Sequence, residues 1–205
     1  MSSTRARAIF VATIMVISVV GMTAAFAGSA AAESGNEIVV NDDDGTADES
    51  TISDAIDNAS DGDYIVVESG TYEEPQLSID KSLTIEGAGQ NEVTISRSSG
   101  DSYFLRNPSG NQNITLRGLT IDATGSNTSN FVVHLAHLNS VNFENVTVKG
   151  QGKNNTTDGE EYYYNDSTDT NVVGGLDLNE VSTVSLTNVT VSDASRNGLS
   201  FTNVD

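Results

Sequence analysis

Val141–Val148 reads VNFENVTV, and 43 residues later Val184–Val191 reads VSLTNVTV. Within the first copy Val141 and Phe143 share one face of an extended chain, and Asn142 and Glu144 share the other. The apolar series then resumes at Val146 and Val148, so the step from Phe143 to Val146 is three instead of two. Strand parity therefore breaks at Asn145. A strand that breaks parity and still keeps its apolar side inward has turned a corner. Asn188 holds that position in the second copy, Gly118 in the earlier copy ITLRGLTI (Ile114–Ile121), and Gly87 in the echo SLTIEGAG (Ser82–Gly89). Asn and Gly tolerate a left-handed backbone at least cost, so the phrase predicts strand, one-residue corner, strand, with left-handed residues at the corner.

The spacing extends this to a period. GLDL (Gly175–Leu178) returns as GLSF (Gly198–Phe201) 23 residues on, and Ile114 to Val141 is a step of 27. Repeats of this length, built of short strands and corners, predict a solenoid whose turns stack over one apolar column. The 43-residue step is then one turn plus an insertion. Its segment GQGKNNTTDGEEYYYNDSTDTN (Gly150–Asn171) carries no aliphatic residue that could line a core. A short helix is predicted before the repeats. Thr51-x-x-Asp54 is a capping box, and Ile52, Ala55, Ile56 and Ala59 form one apolar stripe.

On these residues the chain resembles the right-handed parallel β-helix of the pectin-lyase-like superfamily, of the secreted haloarchaeal type. DDDGTADESTISDAIDNASDGDYIVVESGTYEE followed by LSIDKSLTIEGAG is similar to that family's opening segment, a helix capping the barrel mouth and then the first turn. The resemblance runs from Glu37 to the C-terminus. It implies an all-β solenoid with a short N-terminal capping helix: cap over residues 33–62, β-helix turns over 63–205, a loop insertion at 150–171, and no C-terminal cap. The last turn stops at NGLSFTNVD, so the expectation is a partner chain covering the open end, or further turns in a longer surface protein.

The N-terminus and composition set the compartment. Arg5 and Arg7 precede an apolar run from Ala8 to Val20 and an A-x-A signal at Ala30–Ala32, which predicts a leader over residues 1–32 and a secreted or cell-surface protein with no membrane insertion once the leader is removed. The formal net charge is −20, and all 29 acids lie beyond the leader. Such a surface repels nucleic acid and suits very high salt. The absence of cysteine leaves no disulfides and no thiolate chemistry. Among the N-x-[ST] sequons, Asn127, Asn154, Asn155 and Asn165 are the loop candidates for glycosylation.

Candidate chemistry lies on the outer face. The repeat alignment places His134, Asp177 and Ser200 in one outward column, about 4.8 Å from turn to turn. A carboxylate beside an imidazole is the arrangement that general acid–base work uses. Tyr162, Tyr163 and Tyr164 in the insertion are candidates for stacking on sugar rings. Arg196 is a candidate base or carboxylate clamp. Arg117 is expected to pair with Glu144 on the surface. His134 and His137 are three apart on a strand and face opposite sides, so no metal pair is predicted, and no cofactor is required. Ca²⁺ at Asp42–Asp44 is the one ion weighed, against a solvated acidic turn.

The family resemblance implies a polysaccharide or glycan partner but does not carry a known active site. NVVGGLDL and RNGLSF look like strands around a polygalacturonase site, yet that family's N-T-D triplet, paired aspartates and G-H-G are missing. The opening segment also resembles periplasmic copper-chaperone β-helices, without their Met, His and Cys cluster. The expectation is a carbohydrate-binding or envelope-structural protein. The alternative is a pectate-lyase-like polysaccharide lyase, or a glycoside hydrolase, acting on acidic glycans through His134, Asp177 and Arg196.

Overall fold

The structure is a computed structural model that describes residues 35–42, 45–97, 103–125, 131–150, 174–194 and 198–204. Residues 1–34, which include the expected leader, and most of the expected insertion at 150–171 lie outside these residues. The chain runs through β1 (Glu37–Val40), α1 (Ile52–Asn58), β2 (Asp63–Val67), β3 (Gly70–Glu73), β4 (Leu77–Ser78), β5 (Leu83–Gly87) and β6 (Val93–Ser96). It continues through β7 (Leu105–Arg106), β8 (Asn113–Asp122), β9 (Phe131–Ala136), β10 (Ser140–Lys149), β11 (Gly174–Asn179), β12 (Thr183–Ser192) and β13 (Leu199–Thr202).

Every strand pairing among the described residues is parallel. One sheet follows the order β1-β2-β5-β8-β10-β12, with β3 and β6 joined to it through β8. The other follows β4-β7-β9-β11-β13. The later turns alternate between the two sheets, so the chain coils and each coil stacks on the last. This is a parallel β-helix. Stacking in register lines up equivalent residues, which is why the repeated phrase pairs with itself: Val141 with Val184, Phe143 with Leu186, Val146 with Val189 and Val148 with Val191.

The corner is where parity placed it. Gly118, Asn145 and Asn188 have φ of 60°, 53° and 51°, and the Asn188 amide donates to Asn145 Oδ1 at 2.8 Å. The strands continue through the bend as ten-residue elements. Gly87 departs from the expectation, because its φ is not positive. It is small for another reason: a Cβ there would lie 2.5 Å from the carbonyl oxygen of Gly118 in the next turn.

Ile65, Ile85, Leu116 and Phe143 stack inside one sheet, and Leu77, Leu105, Val133 and Leu176 inside the other, all at most 2% exposed. At the N-terminal end α1 packs against β1, β2 and β4 and buries Ile52, Ala55, Ile56 and Ala59. Thr51 caps it, accepting the Asp54 N–H at 3.0 Å. At the other end β12 and β13 are edge strands, and Leu199 and Phe201 are 48% and 50% exposed.

The cap also holds a buried acid. Glu74 accepts the N–H groups of Ile52 at 2.5 Å and Ser53 at 3.2 Å, satisfying the first donors of α1. Burial raises its carboxyl above the ordinary value; the two N–H groups oppose the rise and the Asp54 charge adds to it. A carboxyl raised on folding contributes stability that is complete below about pH 4 and is lost as pH climbs through its folded value. Glu74→Gln keeps an acceptor for the helix and removes the charge. Its stability relative to the parent should therefore improve between pH 4 and pH 8 in denaturant titrations, whereas a constant difference would show that the charge at Glu74 has no part in it.

Candidate functional site

The outer rows of the two sheets differ in how their charges are compensated. On the first sheet the register brings Glu86, Arg117 and Glu144 into one row. Arg117 reaches Glu86 at 3.8 Å and Glu144 at 3.6 Å, so its charge is compensated within the row. The expected surface pair is present, with a second acid on the other side.

On the second sheet the row is Ser78, Arg106, His134, Asp177 and Ser200, one residue from each of β4, β7, β9, β11 and β13. The predicted His134–Asp177–Ser200 column is in register. His134 Nδ1 lies 2.7 Å from Asp177 Oδ2, with side chains 23% and 14% exposed. The short strands β9 and β11 hold this pair because Val133 and Leu135, and Leu176 and Leu178, bury the alternate positions at 0% exposure. The contact occupies Nδ1 and leaves Nε2 as the imidazole nitrogen outside the pair.

Three residues here were not predicted from the sequence: Ser78 and Arg106 in the row, and Tyr103 beside it. Arg106 precedes His134 in the row, and its strand is only two residues long. Tyr103 stacks its ring on His134, with centroids 4.4 Å apart and planes 16° from parallel. The Tyr103 carbonyl is gripped by Gln76 Nε2 at 2.7 Å and Arg97 Nη1 at 3.0 Å, and Arg97 also lies over the buried Phe104 ring, 5.8 Å from its centroid. The tyrosine is thus fixed from behind while its ring covers the imidazole. A signal for Arg106 was present in YFLR (Tyr103–Arg106), where Leu105 pairs with Val133 and so sends Arg106 outward.

Among the described basic residues, charge compensation sets Arg106 apart. Lys81 donates to the carbonyls of Ile56 and Asp57, Lys149 meets Asp122 at 3.4 Å, and Arg97 and Arg117 are engaged as above. The Arg106 guanidinium makes no ion pair or hydrogen bond among the described residues, and its Nε is buried without a partner. A part-buried guanidinium left uncompensated is costly, most notably in a protein with 29 acids available to pair with it.

Several predicted site residues lie outside the described residues: Arg196, Tyr162, Tyr163, Tyr164, and the sequons Asn127, Asn154, Asn155 and Asn165. Asp43 and Asp44 of the acidic turn are also outside. The described residues contain no group of three or more His, Cys, Asp and Glu arranged to hold a metal, and no helix long and apolar enough to cross a membrane.

No family model matches the chain, and no curated protein matches it significantly. Among solved structures it is similar to the PL6 family alginate lyase AlyGC at 20% identity and a TM-score of 0.48, covering 75% of this chain and 20% of that one. An arginine-to-alanine mutant of the same enzyme gives 20% identity and a TM-score of 0.47 over the same shares. The chain thus spans about a fifth of the length of these neighbours.

Proposed function

We propose that the outer face of the second sheet binds the carboxylate-bearing sugars of an acidic polysaccharide, and that the protein acts as a glycan-binding surface component outside the cell. The observation that carries this is the unpaired Arg106 in the row with His134. A guanidinium without an acceptor among the described residues, on a face otherwise made of Ser, His and Asp, suits a carboxylate from outside the chain. Tyr103 adds a flat ring beside it, and Ser78 and Ser200 supply hydroxyls to sugar oxygens at either end of the row. A parallel sheet repeats its outward positions about every 4.8 Å, roughly the length of one pyranose, so successive turns meet successive sugars.

The second reading is elimination at the same face, and the His134–Asp177 bond favours it specifically. A carboxylate on Nδ1 fixes the ring and leaves Nε2 as a base, while Arg106 would neutralise the sugar carboxylate. Absorbance of oligouronates incubated with the protein separates the readings, since elimination creates an unsaturated, absorbing sugar end. Binding without elimination predicts a flat trace alongside saturable complex formation. A rising trace that Asp177→Asn abolishes would replace the binding reading with a lyase, and the absence of any complex with uronate chains would remove both.

A further inference from the structure

The two sheets carry charge very differently. Six of the eight strands of the first sheet hold an acid. The five strands of the second hold one, Asp177, and one arginine, Arg106, in a sequence with 29 acids. Along the outward row, Ser78 precedes Arg106, and His134, Asp177 and Ser200 follow it, one residue from each turn. One turn therefore offers a cation, and the turn two further on offers an anion. Asp177 meets His134 Nδ1 at 2.7 Å, and no lysine or arginine among the described residues pairs with it.

Distance separates the effects of these two charges. A ligand carboxylate seated on Arg106 stands two turns from Asp177, about 9–10 Å along the stack. That exceeds the screening length of about 8 Å at 0.15 M ionic strength, so Asp177 leaves the Arg106 contact intact. A carboxylate seated over Asp177 itself meets like charge near contact, which costs about fivefold in affinity even in water. A face built for a dense polyanion would repeat its cation from turn to turn. This one has a single cation, an anion and two serine hydroxyls, which suit the hydroxyls of neutral sugars.

We propose that the ligand of this face is a sparsely charged heteropolysaccharide, in which one uronate on Arg106 is flanked by neutral sugars over Ser78, His134, Asp177 and Ser200. A chain with a carboxylate on every sugar would pair one of them and set another against Asp177. The proposal rests on the glycan-binding reading of the face and narrows its ligand class.

Titration calorimetry of the whole chain at about 0.15 M salt tests it. The probes are oligouronates of one length with their carboxyls intact, reduced to alcohols until a single one remains on average, or fully reduced. The singly charged oligomer should bind the parent within about twofold of the fully charged one or more tightly, despite its lower charge. Full reduction should weaken binding by at least about tenfold, because Arg106 loses its carboxylate. Asp177→Asn keeps an acceptor for His134 and removes the charge. It should tighten the fully charged oligomer by about fivefold and change the singly charged one by less than about twofold. Affinity that climbs in proportion to carboxylate number in the parent, or an Asp177→Asn effect equal on both ligands, would overturn the preference for sparse charge and leave the glycan-binding face standing. If no oligomer forms a saturable complex, the binding face falls and the preference with it.

Discussion

Phe143→Ala should lower the free energy of unfolding by about 3–5 kcal/mol, the largest single loss expected in this protein. Phe143 is fully buried, and its ring stacks between Leu116 and Leu186 of the adjoining turns. A β-helix has no second core to absorb the change. Each turn packs only on its neighbours, so a cavity in a middle turn removes contacts on both sides and loosens the stack there. Leu186→Ala is the internal control. Leu186 belongs to the last strand of its sheet and is only partly buried, so its truncation should cost clearly less. Urea titrations of both variants, in the same high-salt buffer, check the pair. Equal losses would mean that the column is not a stack of nearest neighbours.

The second large effect concerns function. Arg106→Gln should weaken binding of oligouronates by at least about tenfold, because a charge-assisted and often bidentate contact contributes about 1.5–3 kcal/mol. Arg117→Gln should change affinity by less than about twofold, since Arg117 is already spent on Glu86 and Glu144. The two variants remove the same charge from a protein of net charge −20, so a general electrostatic effect would alter both alike. Titrations at two salt concentrations check this: only the parent and Arg117→Gln should share one affinity at each.

The fold was legible because a solenoid writes its geometry into the sequence repeatedly. The parity break at Asn145 located the corner, and the matching Asn188 and Gly118 set the register that the strands adopt. The same reasoning misread Gly87. A glycine at a corner position can be required by its backbone angle or by the closeness of the next turn, and Gly87 is required by the carbonyl of Gly118. Spacing alone does not distinguish the two causes.

The site was legible where the repeat is long and hidden where it is short. His134 and Asp177 lie on six-residue strands whose apolar alternation aligns them. Arg106 lies on a two-residue strand, and the pairs Arg106–His134 and Asn113–Ser140 show that the bend between them differs by one residue from one turn to the next. That offset breaks the column in any ungapped alignment. Tyr103 carries no periodic signal, because its place over His134 is set by the grip of Gln76 and Arg97 on its carbonyl. The left-handed bend at His137, Glu180 and Asn203 escaped for a related reason: Glu180 is not a residue that usually announces such a backbone, and the three do not repeat one residue type.

The most direct test of the glycan-binding face is the proton spectrum of the two histidine rings during titration with oligouronates. The His134 ring, stacked on Tyr103 beside Arg106, should shift saturably while the His137 ring stays in place. Shifts confined to His137, or none at either ring at saturating sugar, would contradict a binding face built on Arg106 and His134.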